Sequence, residues 1–453
     1  MSVSETIKNT LLCYKDKRLL FVFLFGIASG FPWVMIGSAL SAWLQESGLS
    51  RSSIGLIGSI TIAYSINFLW SPLLDRVQPP LLGQRRGWIV TTQLMIIIAC
   101  VAMAVVPAQE NLLIIGLVGF SIAIFSATQD IAIDAYRIDI IHPHEKDKLA
   151  AASSMATAGW WTGYGGLGAI PFFIADMAGW QWSDIYFILA AIMAGLMLMV
   201  FFSDEPVTSR IEQQAAASAR YAKAMVGDLK LNGSQRLINW LAVTLVEPFR
   251  DFFSRNSVKL ALSILAFIFL FKIGEAFLGR MSIVFYKELG FSNSDIGSYS
   301  KLLNWWVTIV FAVLGGMVNV RYGIYRGLMT GGVAMAASNL MFALMSVVGP
   351  DKALFAATIF VDGFTAAWSS VALVAFISLL CNQAFSASQY ALMASLGTLS
   401  RTLMASASGF LVDWMDGNWA FFFILTAIMV MPSLVILWLI KDHIYALEKR
   451  DQR

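Results

Sequence analysis

Charge is what this sequence has least of. Only 13% of its 453 residues are Asp, Glu, Lys or Arg, about half the share found in an ordinary soluble domain. Cysteine and histidine are scarcer still, at three each. Cys13, Cys100 and Cys381 are too widely separated for a disulfide framework or a zinc-ligand spacing. His142, His144 and His443 fall in polar segments, and the chain has no H-E-x-x-H, G-x-S-x-G or phosphate-loop motif. A membrane enzyme is therefore not expected. A net charge of +3 is too small to imply a nucleic-acid partner. A sensor or scaffold would carry a sizeable extra soluble segment, and none is visible. What the chain has is apolar surface: 58% of residues are hydrophobic and the mean hydropathy is +0.71. Folding hides only about three quarters of a chain's surface, so in water this composition would leave apolar area uncovered. The expected solvent is a lipid bilayer.

A helix crossing the hydrocarbon core needs about 20 mostly apolar residues. Twelve stretches meet that scale: 19–44, 53–73, 87–106, 111–136, 149–175, 183–203, 259–285, 296–318, 326–348, 353–380, 387–412 and 418–440. They are too long for tilted strands and lack alternation, which leaves helices as the spanning element. The first run is too long for a signal-peptide core, so the N-terminus is expected to be retained. The fold class expected is an all-α integral membrane protein of twelve transmembrane helices in two six-helix halves.

Orientation follows from the basic residues. Most of the 31 Lys and Arg fall in the N-terminal tail, in the loops after spans two, four and eight, in residues 204–259 and in the C-terminal tail. The opposite loops carry only Arg51, Lys287 and Lys352. Both termini are therefore expected in the cytoplasm. The domain reading is a tail and six-helix half (1–203), a cytoplasmic linker (204–258), a second six-helix half (259–440) and a tail (441–453). From Arg236 to Phe253 the linker is amphipathic, setting Trp240, Leu241, Leu245 and Phe249 against Arg236, Glu247 and Arg250. That pattern suits a helix on the membrane surface and suits equally a linker packed on neighbouring loops.

Two loops resemble one another. Between spans two and three stands Asp75-Arg76, then Gly83-Gln84-Arg85-Arg86; between spans eight and nine stands Asn319-Val320-Arg321-Tyr322-Gly323, then Arg326. Related loops at matching places in two halves point to duplication. The first loop resembles the signature of the major facilitator superfamily. More narrowly, the chain resembles the AmpG-type muropeptide permeases. The matching segments include Gly26-Ile27-Ala28-Ser29-Gly30-Phe31-Pro32, Phe68-Leu69-Trp70-Ser71-Pro72, Ser126-Ala127-Thr128-Gln129-Asp130, Lys272-Ile273-Gly274-Glu275-Ala276-Phe277 and Phe385-Ser386-Ala387-Ser388-Gln389-Tyr390. The resemblance implies a secondary transporter of the bacterial inner membrane. It would import 1,6-anhydromuropeptides by proton symport, with the proton gradient in place of any cofactor and an anionic sugar–peptide as partner. Related permeases for siderophores and acetyl-CoA share the same general look. A monomer is expected.

Ionised side chains inside a span are costly and invite a functional reading. Lys272 lies at the midpoint of span seven, Glu275 one turn on, and Arg401 near the middle of span eleven. The first two pair on one helical face, either as a fixed structural ion pair or as a proton site. Asp130, deeper on span four than Asp134 and Asp139, is the second proton candidate. Substrate contacts are expected from Lys272, Arg401, Gln129, Asn304, Trp160, Tyr64 and Asn67, the tryptophan by stacking on sugar rings or, equally, by packing on neighbouring helices. A gate is expected from Asp75, Arg76, Arg85, Arg86, Asp134, Asp139 and Arg321, with Asp75 and Arg76 closing against Asp134 or its neighbours.

Overall fold

The computed structural model describes residues 14–47, 59–80, 82–106, 112–142, 145–175, 177, 179–208, 210–226, 232–291, 295–405 and 407–449. Their long helices, in chain order, are α1 (Lys17–Leu44), α2 (59–76), α3 (Arg85–Val105), α4 (Leu112–Asp139), α5 (146–175) and α6 (Trp182–Val200). Two linker helices follow, α7 (Arg210–Val226) and α8 (233–255). The second set is α9 (Val258–Leu289), α10 (Ser298–Tyr322), α11 (Ile324–Val348), α12 (Lys352–Leu380), α13 (Ser386–Ala405) and α14 (Trp419–Leu439), closed by α15 (Lys441–Lys449). Nine of these are long and apolar enough to cross a membrane, and no strand occurs among the described residues. The other expected spans, α2, α5 and α13, are helical but broken or less apolar, so the architecture is consistent with twelve passages. Residues 53–58 of the expected second span, and Arg51 before it, lie outside the described residues.

Small residues set the closest approach of two helices. A Cβ added at Gly30 would sit 2.1 Å from the Trp160 carbonyl oxygen, and one at Gly159 2.2 Å from that of Phe23. The obstacles are backbone atoms, which cannot rotate aside, so α1 and α5 reach this separation only because both faces are glycine. The contact holds Trp160 at the middle of the bundle.

The apolar cores show how the halves sit together. One cluster at the end carrying the arginine-rich loops unites both sets of helices, joining Phe25 and Tyr136 to Phe267, Phe376 and Tyr390. Two further clusters each stay within one set, the first around Trp43 and Tyr186, the second around Phe285 and Phe342, and a small one joins Ala158 of α5 to Ala312 of α10 and Val371 of α12. The halves are thus joined at the basic end and along α5, with separate cores beyond.

That end is also tied by ion pairs. Arg18 bridges Asp16 and Glu145, and Lys148 bonds the same two acids, linking the start of α1 to the connection between α4 and α5. The hydrogen bond from Arg18 holds the Glu145 carboxyl down to about 2 and the Asp16 carboxyl well below the usual carboxylate range. Lowered folded-state values mean the stabilisation is complete above the unfolded-state values and disappears as pH falls toward the folded ones. Partly exposed pairs of this kind contribute about 0.2–1 kcal/mol each. Thermal melts should therefore show Glu145→Gln less stable than wild type at pH 7, with the gap closing between about pH 5 and pH 2. A gap independent of pH would assign the loss to packing.

The linker packs in part on the second half. Asp251 and Arg255 of α8 bond Gln389 of α13, and Phe252 is buried against the core. Leu237, Ile238, Leu241, Leu245 and Phe249 remain uncovered by protein.

Candidate functional site

Between the halves lies a cavity of about 800 Å³ whose two walls differ in chemistry. The first set of helices supplies an aromatic wall. Trp33, just after Pro32, packs on Tyr64 with ring centroids 4.2 Å apart and on Trp160 at 6.4 Å. Trp161 stands edge-on to Trp160 at 5.3 Å. Asp130 and Asp134 of α4 complete this side. Asp130 accepts from the Ser29 hydroxyl at 2.7 Å, and Asp134 pairs with Arg137 at 3.0 Å.

The second set supplies a charged wall of Glu275, Arg280, Asn304, Asp362 and Arg401. Arg401 is exposed to the cavity and forms no ion pair with Asp362 or Glu275. The Asp362 carboxylate accepts from Ser338 at 3.2 Å. The Asn304 Oδ1 is buried with no protein partner, so it has acceptor capacity to spare. Two contacts bridge the halves around the cavity: Ser395 donates to Asn67 at 2.8 Å, and Trp305 donates to the Trp161 carbonyl at 3.3 Å.

The structure brings Tyr64, Asn67, Asp130, Asp134, Trp160, Glu275, Asn304 and Arg401 to this one space. It does not bring Gln129 or Lys272 to the lining. Gln129 is fully buried and turned to α1, donating to the Ala28 carbonyl at 2.7 Å; a residue adjacent to Asp130 points about 100° away around the helix. Lys272 is 5% exposed and lies beneath the wall. It occupies a break in α9, where its backbone leaves helical geometry (φ −104°, ψ 8°). Its ammonium contacts Glu275 and donates to Ser369 at 2.8 Å and the Ala366 carbonyl at 3.3 Å. Trp33, Arg280 and Asp362 were not among the expected site residues. Arg280 and Asp362 carried the signal of a charge within a span, and Trp33 only that of following Pro32.

At the basic end the cavity is closed by a buried clamp. Arg85 is wholly buried and donates to Asp75 at 2.7 Å, to Asp139 at 2.7 Å and to Ser386 of α13 at 2.8 Å. The Asp75 carboxylate also accepts from the Ser388 hydroxyl at 2.6 Å and from the backbone N–H groups of Ala387 and Ser388 at 3.2 and 2.8 Å. An acid from one half thus caps the free N–H groups opening a helix of the other, where the helix dipole favours negative charge. Asp139 accepts from Ser386 at 2.8 Å.

Of the expected closure of Asp75 and Arg76 against Asp134 or its neighbours, Asp75 meets Asp139 through Arg85, while Asp134 and Arg76 stand outside the clamp. Asp139 lies five residues after Asp134, about 140° around the helix, so one carboxylate meets the clamp while the other faces the cavity. Arg76 instead donates to Gln214 of α7 at 3.1 Å, and Gln214 spans the two halves by donating to the Asp75 and Ala384 carbonyls. Arg86 donates to the carbonyls of Val200 and Phe201 at the end of α6. Arg321 lies outside the clamp with its guanidinium 5.0 Å from the Tyr322 ring. Its loop has Asn319 where the other has an acid, and Asn319 accepts from Trp368.

Comparison with known proteins agrees with this architecture. The Major Facilitator Superfamily profile matches residues 22–303. A Rickettsia felis protein described as putative transporter AmpG 4 is 32% identical over 427 residues, covering 94% of this chain and 96% of its own. The anhydromuropeptide permease of Escherichia coli K12 is 29% identical over 428 residues, covering 94% of this chain and 80% of its own. Two solved structures share the fold: the proton:xylose symporter XylE bound to 6-bromo-6-deoxy-D-glucose, and FucP in the outward conformation. Each superposes with a TM-score of 0.65, at 14% and 13% identity. XylE covers 93% of this chain and 94% of its own, FucP 94% and 99%. A two-walled cavity between joined halves, the profile match and these full-length relatives establish that the chain belongs to the Major Facilitator Superfamily and is a transporter, not an enzyme, of the AmpG permease type.

Proposed function

We propose that this permease imports anionic sugar–peptides of the anhydromuropeptide class from periplasm to cytoplasm across the bacterial inner membrane, by proton symport. The observation that carries the reading is the opposition of an aromatic wall to a charged one across a single large cavity. Sugar rings present apolar C–H faces that stack on Trp33 and Trp160. Peptide carboxylates match Arg280 and Arg401, and Arg401 has no competing ion-pair partner among the described residues. Ammonium groups match Glu275 and Asp362. A cavity of this size suits a ligand larger than a monosaccharide.

The basic loops and both termini are assigned to the cytoplasm, which makes the clamp the inner gate and the present form outward-facing. The domain division is kept as residues 1–203, 204–258, 259–440 and 441–453, acting as a monomer.

The test is uptake of labelled anhydromuropeptide into proteoliposomes with and without an imposed inward proton gradient. Gradient-dependent accumulation, competed by the disaccharide–peptide and not by siderophore or acetyl-CoA, is the expected result. Uptake indifferent to the gradient would remove proton coupling, and competition by siderophore or acetyl-CoA alone would move the substrate to another branch.

A further inference from the structure

A second cavity lies on the other side of α12 from the central one, sharing none of its lining residues. α10 and α11 are joined at Gly323, whose φ of 89° makes the tight reversal. Between them is a groove of about 340 Å³, lined by Val318 and Tyr322 of α10, Arg326 and Met329 of α11, and Trp368 of α12. Trp368 is held by its hydrogen bond to Asn319.

The groove continues an apolar outer face. On α10, Leu314 and Tyr322 are uncovered by protein, and with Val318 between them they form an i, i+4, i+8 row on neighbouring parts of one helix face. In a spanning helix that side meets lipid. The groove therefore opens toward acyl chains, at the end of the bundle where the basic loops lie.

Its rim is cationic. Arg326 lines the groove, and Arg321 stacks over Tyr322 beside it. Neither guanidinium has a hydrogen-bonded or ion-paired partner among the described residues. The nearby acid, Glu448, accepts from the backbone N–H groups of Ile324 and Tyr325 and so is engaged in opening α11. Two unpaired guanidiniums above an apolar slot match a phosphate attached to a hydrocarbon chain.

We propose that this groove binds one anionic glycerophospholipid, with the phosphate held by Arg321 and Arg326 and an acyl chain laid along Met329 and Trp368. The site gives a role to the second-half loop, which takes no part in the clamp.

The test uses the purified full-length transporter and native mass spectrometry, comparing phosphatidylglycerol with phosphatidylethanolamine of the same chains. The wild type should retain phosphatidylglycerol preferentially. Retention should fall about fivefold for each arginine removed in Arg321→Gln and Arg326→Gln, while Lys259→Gln, an exposed cation on α9, leaves it unchanged. Met329→Trp, which fills the slot with both arginines present, should also lower retention. Unaltered melting temperatures of the variants separate lost binding from lost folding. Equal phosphatidylglycerol retention by the double arginine variant would overturn the proposal. So would displacement of the lipid by inorganic phosphate alone, which would mark an anion site with no acyl component.

Discussion

Asp75→Asn should convert a transporter that rests closed at the basic end into one that opens there. The substitution keeps the shape of the side chain but removes its charge. It also turns an amide N–H₂ toward donors that need acceptors: Arg85, the Ser388 hydroxyl and the N–H groups of Ala387 and Ser388. Breaking a buried charged network from one side costs about 3–5 kcal/mol. Nearly all of that cost falls on the closed form, because three of the four donors belong to the other half and withdraw when the gate opens. A shift of about 5.5 kcal/mol is enough to invert a two-state population from 1:99 to 99:1, so the variant should move most of the way. In a background without native cysteines, Ser370→Cys on the cavity wall should react with an impermeant maleimide from the periplasmic side in the wild type. In Asp75→Asn it should react from the cytoplasmic side, with net uptake reduced at least about tenfold. Arg76→Ala should have the smaller effect, since Arg76 reaches the clamp only through Gln214. Unchanged sidedness of labelling in Asp75→Asn would show that the clamp does not set the resting state.

The sequence carried the all-helical membrane architecture and the first basic loop because each is written locally. Twenty apolar residues in a row, or Asp75-Arg76 followed by Arg85, need no distant partner to be read. What could not be read was direction. Asp134 and Asp139 look alike in sequence, yet one faces the cavity and the other the clamp. Lys272 stands at mid-span as expected but lies under the wall, because α9 breaks there and its ammonium finds Ser369 and Ala366 on α12. Ser386 and Ser388 were legible only as part of a family-like segment, with no sign of their partners. Those partners are the carboxylates of Asp139 and Asp75 in the other half, and only the folded chain brings them together.

If protons drive accumulation, Glu275→Gln should abolish concentrative uptake while leaving substrate exchange intact. Coupling needs an acid that can gain and lose a proton without leaving a buried charge stranded. Glu275 meets that need through its neighbours. It lines the cavity and contacts Lys272. When Glu275 is protonated, Lys272 keeps its bonds to Ser369 and Ala366. Asp130 has no comparable arrangement: it accepts from Ser29, and its neighbour Asp134 is already paired with Arg137. An arriving substrate carboxylate would draw on Arg401 and Arg280 and so alter the field across the wall that Glu275 shares. Such a switch works only if the group titrates, and glutamine cannot. An inward gradient of one pH unit is worth about 1.4 kcal/mol per proton whatever the substrate's charge, enough for roughly tenfold accumulation. Wild-type proteoliposomes should approach that ratio, and Glu275→Gln should stay near unity while still exchanging labelled for unlabelled substrate. The comparison that decides the assignment is Asp130→Asn. Should that variant lose accumulation while Glu275→Gln concentrates substrate in an uncoupler-sensitive way, the proton site belongs to α4, and the Lys272–Glu275 pair serves only to hold the broken helix.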